Sequence, residues 1–145
     1  MLIRYEWRGA VDDAALDALH AEGFGRPATP ARTTGPARTG DPARTGWRER
    51  LERHSLGWVC ARADGSLAGF VNVAWGGGEH AFLLDTVVAR RNRHEGVGAR
   101  LVAVAAEEAR GAGCAWLHVD FEERLRPFYL DACGFRETSA GLLAL

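Results

Sequence analysis

Val88-Ala89-Arg90-Arg91-Asn92-Arg93-His94-Glu95-Gly96-Val97-Gly98-Ala99-Arg100-Leu101 joins the end of an apolar strand to the start of an alanine-rich helix. The junction reads Arg-x-x-Gly-x-Gly. Glycines at such a turn let backbone N–H groups approach an anion closely, and the helix N-terminus adds partial positive charge. Arg90, Arg91 and Arg93 crowd the same turn. The chemistry suits a pyrophosphate.

Two familiar phosphate turns do not match. A P-loop requires Gly-x-x-x-x-Gly-Lys-Ser/Thr, because the Lys and hydroxyl serve the terminal phosphates and their Mg²⁺. This chain has no lysine at all. A dinucleotide turn requires Gly-x-Gly-x-x-Gly after the first strand of its domain. Here Leu101 stands where the third glycine belongs, and the turn comes two-thirds of the way along.

The chain's 145 residues make one domain's worth, 47% of them apolar and 26% charged, as in ordinary globular proteins. A net charge of −1 argues against a nucleic-acid partner, which would want a basic face. The N-terminus lacks a basic-then-apolar leader pattern, and no apolar run approaches membrane-spanning length. Cys60, Cys114 and Cys133 are odd in number and suit reduced thiols in the cytoplasm. The five histidines have no partners at coordinating spacing, so no metal is expected.

Periodicity predicts a strand at Leu2–Trp7 and a helix over Val11–His20 opened by Asp12 and Asp13. Pro30, Pro36 and Pro42 then open three imperfect copies of Pro-Ala-Arg-Thr-Gly. These copies have no apolar face to bury, so residues 25–46 read as a mobile low-complexity loop inserted in a single domain over 1–145. A short helix is expected over Trp47–His54. Strands follow at Trp58–Arg62 and Ser66–Trp75, joined by an Asp64-Gly65 hairpin signal, and at His80–Val88. A helix over Gly98–Arg110 then leads to a strand at Cys114–Asp120, parallel to its predecessor because a helical crossover intervenes. A helix at Leu125–Cys133 and closing strands from Phe135 and over Leu142–Leu145 complete a mixed α/β domain.

Arg93-x-x-Gly96-x-Gly98, placed after a strand and opening a helix, resembles the coenzyme A signature of the GNAT N-acetyltransferases. Phe128-Tyr129-Leu130-Asp131-Ala132-Cys133-Gly134-Phe135 resembles that family's late helix carrying a Tyr and followed by Gly-Phe. Leu67-Ala68-Gly69-Phe70 resembles its strand with an apolar Gly-Phe pair. The element order matches as well. The resemblance implies a mixed sheet whose fourth and fifth strands splay apart around acetyl-CoA, the cosubstrate. The backbone near Val87 and Val88 would pair with the pantetheine arm, and Arg93, His94, Glu95, Gly96, Val97, Gly98 and Ala99 would wrap the pyrophosphate. Acetyl transfer by direct attack would go to a primary amine of a small molecule. A homodimer is compatible with this reading.

Attack on a thioester needs a neutral amine and a proton for the leaving thiolate. The resemblance gives the donor role to Tyr129. The common spacing is Tyr-x-x-x-Gly-Phe, and here Tyr129 stands one residue further from Gly134. One residue turns a helix by about 100°. The extra residue is therefore expected in the connection after the helix. For the base, alternation puts Leu83, Asp85 and Val87 on one face of their strand and Phe82, Leu84, Thr86 and Val88 on the other. A carboxylate there wants a partner or a task. His118, sharing a face with Trp116 and Asp120, is the alternative base. Asn72, polar inside an apolar strand, is expected to line the acceptor pocket. The rival reading is a catalytically weak acyl-CoA-binding module that keeps the cofactor site alone.

Overall fold

The computed structural model describes residues 2–25 and 46–145. The repeat-bearing loop expected over 25–46 lies, but for its two end glycines, outside them. Five strands form one sheet in the order β1 (Ile3–Trp7), β2 (Ser55–Ala63), β3 (Ser66–Trp75), β4 (His80–Val88), β5 (Trp116–Val119). The first four are antiparallel to their neighbours, and β5 runs parallel to β4.

Helices α1 (Asp13–Phe24) and α2 (Trp47–His54) cover one face of the sheet, and α3 (Val97–Gly111) covers the other. The side chain of Asp12 caps α1 by accepting the Ala15 N–H at 2.9 Å. That carboxylate satisfies one of the four donors a helix start leaves open. Asp13 accepts the Arg48 backbone N–H at 2.8 Å and so ties the start of α1 to the start of α2. Leu16, Leu19, Trp47, Leu51, Trp58, Cys60, Phe70 and Val87 fill this side. Gly23 is required there, because a Cβ on it would stand 2.1 Å from the Val87 Cγ2. Under α3, Val97, Leu101, Val102, Ala105 and Ala109 recur at helical spacing and pack on Val59, Val71, Val73 and Leu83.

Three expectations are corrected. No closing strand forms at Phe135 or over Leu142–Leu145: Leu142, Leu143 and Leu145 are exposed, and the ion pair of Arg126 with Glu137 and the stacking of Arg136 over Trp116 draw the chain across the end of β5. The Leu125–Cys133 helix is wound largely as a π-helix over Pro127–Ala132, with Cys133 N–H donating to the Phe128 carbonyl. The residue that lengthens the Tyr129-to-Gly134 spacing is therefore absorbed inside the helix and not in the connection after it.

The third correction concerns β4. Asn72 pairs with Leu84 and Phe70 with Val87, so Asp85 and Thr86 together oppose Val71 alone. This is a β-bulge, and Asp85 takes φ 59° to make it. Asp tolerates the left-handed region better than most residues. Alternation flips at that point. Leu83 faces α3 while Val87 faces α1, and Asp85 turns toward α1 and α2 as Thr86 turns to the α3 side.

Candidate active site

β4 pairs with β5 only from His80 to Leu83, although it runs on to Val88. Beyond Leu83 the two strands part, and no strand occupies the β5 side of Leu84–Val88 among the described residues. This splay is the expected gap. Val87 is buried against α1, so only its backbone is available there, while Val88 is half-buried on the α3 side.

The turn that follows closes one end of the gap. After a single 3-10 turn over Arg90–Asn92, Gly96 caps α3 at φ 80° with no side-chain hydrogen bond to the first helical turn. A Cβ on Gly96 would meet nothing within 4 Å, so the turn lies open. An uncapped helix start presents N–H donors and partial positive charge outward. His94 (φ 65°) and Glu95 are exposed, Val97 anchors the helix in the core, and Ala99 is half-buried. Arg93 folds back, its Nε donating to the Val88 carbonyl at 3.2 Å. Its exposed guanidinium thus stands at the mouth of the gap. Gly98 faces the Phe128 ring, which a Cβ would approach to 3.1 Å. Beside Ala99 a cavity of about 600 Å³ opens between α3 and β5, lined also by Val102, Leu117, Cys133 and Phe135. These features fit a long anionic thioester such as acetyl-CoA.

Tyr129 reaches the same gap from the π-helix. It is 5% exposed, ringed by Phe121, Phe128 and Phe135. Thr86, the residue next to the bulge, lies beside its hydroxyl. Burial pushes the phenol above its ordinary range, the Thr86 contact offsets part of that, and nearby Cys133 adds to it. The hydroxyl therefore keeps its proton at neutral pH.

On the opposite face of the bulge sits a polar cluster. His20 Nε2 is 3.0 Å from Asp85 Oδ1, while Arg50 Nη2 and Asn72 Nδ2 donate to Asp85 Oδ2 at 3.3 and 3.4 Å. Ser55 donates its hydroxyl to Asn72 Oδ1 at 2.5 Å. Burial alone would raise the Asp85 carboxyl. The His20 hydrogen bond, the charges of Arg50 and His20 and the Asn72 amide outweigh it and hold the group below its ordinary range. Asp85 is a fixed anion. His20 is itself clamped, with Phe24 stacked at 4.3 Å and Trp47 tilted at 5.0 Å.

The structure thus brings Asp85 and Asn72 together and places Tyr129 across the bulge from them. It sets His118 apart, on β5 beside the paired half of β4, where Nε2 meets His80 Nδ1 at 2.7 Å and the ring stacks on Phe82. Sequence reasoning missed His20 and Arg50. The one available signal was that Asp85, polar in an apolar strand, wanted partners. Among the described residues no group of three potential ligands could hold a metal, and no helix is long and apolar enough to cross a membrane.

Residues 19–135 match the family model described as the acetyltransferase (GNAT) family. No curated protein matches the chain. Among solved structures, an acetyltransferase of Trypanosoma brucei aligns with a TM-score of 0.74 at 20% identity over 99% of both chains. A GNAT family protein of Streptococcus pneumoniae aligns at 0.69 and 18%, over 99% of this chain and 98% of that one. AAC(6')-Iy, solved with the bisubstrate analogue CoA-S-monomethyl-acetylneamine, aligns at 0.69 and 18% over 100% of this chain and 98% of its own. Identities this low carry the fold, and the family model, which spans most of the sequence, carries the family. The chain belongs to the GNAT acetyltransferases.

Proposed function

We propose that this protein moves an acetyl group from acetyl-CoA to a primary amine of a small molecule by direct attack. One observation carries the reading. The β4–β5 splay has an uncapped helix start at one end, and Asp85 and Tyr129 flank its middle. A pyrophosphate at the backbone of Val97, Gly98 and Ala99, with Arg93 beside it, leaves the unpaired edge of β4 to accept the pantetheine amides as an added strand would. The resemblance to a structure holding a CoA bisubstrate analogue supports the same ligand.

Tyr129, protonated at neutral pH, is the donor to the departing thiolate. Asn72 and the Asp85 cluster face the acceptor side. The test is free-thiol release from acetyl-CoA with an aminosugar, a polyamine, an arylalkylamine and a peptide amine, run beside calorimetry of acetyl-CoA binding. Release with one class establishes the activity. Neither binding nor release refutes it. The enclosure of Tyr129 among three phenylalanine rings favours one rival, a module that binds acyl-CoA without transfer. Binding with no release from any amine selects that rival.

A further inference from the structure

We propose that His20 is the group that takes the proton from the acceptor amine, and that Asp85 is its positioning residue. This rests on the acetyl-transfer reading above and adds a residue to it. Asp85 is ionised, so it accepts hydrogen bonds and donates none. The nitrogen facing it, Nε2 at 3.0 Å, therefore carries the hydrogen. A neutral imidazole with Nε2–H presents a lone pair at Nδ1. No described residue hydrogen-bonds that nitrogen.

The surroundings hold the ring for this task. Phe24 and Trp47 bound its plane, and the side chain retains 17% exposure, enough for contact with a bound molecule. Asp85 gains its direction from the bulge: φ 59° turns the carboxylate to the α1 face just where β4 leaves β5. The next residue, Thr86, meets Tyr129 from the other face. Proton acceptor and proton donor thus flank one point of one strand. Among the described residues, the charged groups near His20 are Asp85 from β4 and Arg50 from α2, with Asp17 one turn earlier on α1. Arg50 pairs with the second Asp85 oxygen and leaves Oδ1 to the imidazole.

The step balances. The amine nitrogen forms a bond to the thioester carbonyl carbon, and the carbon–sulfur bond breaks. One proton passes from that nitrogen to His20 Nδ1, and one from the Tyr129 hydroxyl to the sulfur. Solvent then takes the proton from the imidazolium and returns one to the phenolate. The arrangement follows the logic in which a carboxylate fixes the tautomer of a catalytic imidazole.

The experiment is a pH profile of kcat and kcat/KM for the full chain, His20→Gln, His20→Ala and Asp85→Asn, using the best amine of the panel. A lost general base costs ~10²-fold or more in kcat. The expected result is that loss in both His20 variants, unchanged acetyl-CoA affinity, and disappearance of the acid limb of the wild-type profile. Added imidazole restores part of the His20→Ala rate. Asp85→Asn keeps the limb but lowers kcat, because the proton acceptor remains and its positioning partner is lost. Circular dichroism establishes that the variants fold. A His20→Gln enzyme within threefold of wild type, or an acid limb that persists without His20, overturns the proposal while leaving acetyl transfer standing. A wild-type protein that releases no thiol with any amine removes the underlying reading, and this proposal with it.

Discussion

Asp85 joins the bulge of β4 to α1 and α2, so its substitution disturbs backbone and site together. The carboxylate accepts from His20, Arg50 and Asn72, with the side chain 20% exposed. In Asp85→Asn the charge is lost and one oxygen becomes an NH₂, which either faces the Arg50 and Asn72 donors or forces His20 into its other tautomer. A hydrogen bond to a charged group is worth about 1.5–3 kcal/mol, which puts the loss at about 2 kcal/mol. Asn tolerates the left-handed backbone at φ 59°, so the bulge survives. Asp85→Ala removes every acceptor and also forces an ordinary side chain into that region, adding about 1–2 kcal/mol. Its total is therefore about 3–4 kcal/mol. For a domain of this size each kcal/mol moves Tm by about 3 °C. The melts should fall by about 6 °C for Asn and about 10 °C for Ala.

The sign with pH follows from the lowered carboxyl. Its folded pKa lies below its ordinary value of 3.8, so its stabilisation is complete above that value and is lost as pH falls through the folded pKa. Thermal melts and urea titrations of wild type and both variants, at pH 7 and again below pH 3.8, measure this. The wild-type advantage over Asp85→Asn should shrink at the acid end. An Asn variant within about 0.5 kcal/mol of wild type at pH 7 would refute the cluster's energetic role, since that is the scatter of ordinary surface changes. An Ala variant no weaker than Asn would refute the claim that the bulge needs a residue at home in the left-handed region.

Gly96→Ala keeps an open environment but must hold φ 80°, so it should cost about 1–2 kcal/mol and weaken acetyl-CoA binding in calorimetry. Tyr129→Phe should lower kcat by ~10²-fold with acetyl-CoA affinity unchanged, because only the proton donor is removed; a transfer assay and calorimetry read the two separately. Leu101→Ala, in a fully buried site under the sheet, should cost about 2–5 kcal/mol in urea denaturation.

Much of the fold was legible because local rules agree with tertiary ones here. The Asp64-Gly65 hairpin, the Asp12 cap and the helical spacing of Val97, Leu101, Val102 and Ala105 each follow from nearby residues. The bulge was not legible. Phe82–Val88 has no apolar–polar alternation whose break could mark a bulge, and only the pairing of Asn72 with Leu84 and Phe70 with Val87 reveals the extra residue. The π-helix was half-visible, as a spacing one residue too long whose location the chain could not state. His20 and Arg50 are 65 and 35 residues from Asp85, and no short-range pattern joins them. The closing strands failed for a different reason. Apolar content at Leu142, Leu143 and Leu145 signals burial only where a partner strand exists, and here they are exposed.

The β4–β5 splay is where acetyl-CoA should bind, and a structure of the protein with acetyl-CoA bound tests that most directly. It should place the pyrophosphate against the backbone N–H groups of Val97, Gly98 and Ala99, the pantetheine along Leu84–Val88, and the sulfur between Thr86 and Tyr129. Acetyl-CoA bound away from the splay, or with its sulfur remote from both Tyr129 and the Asp85 bulge, would contradict it.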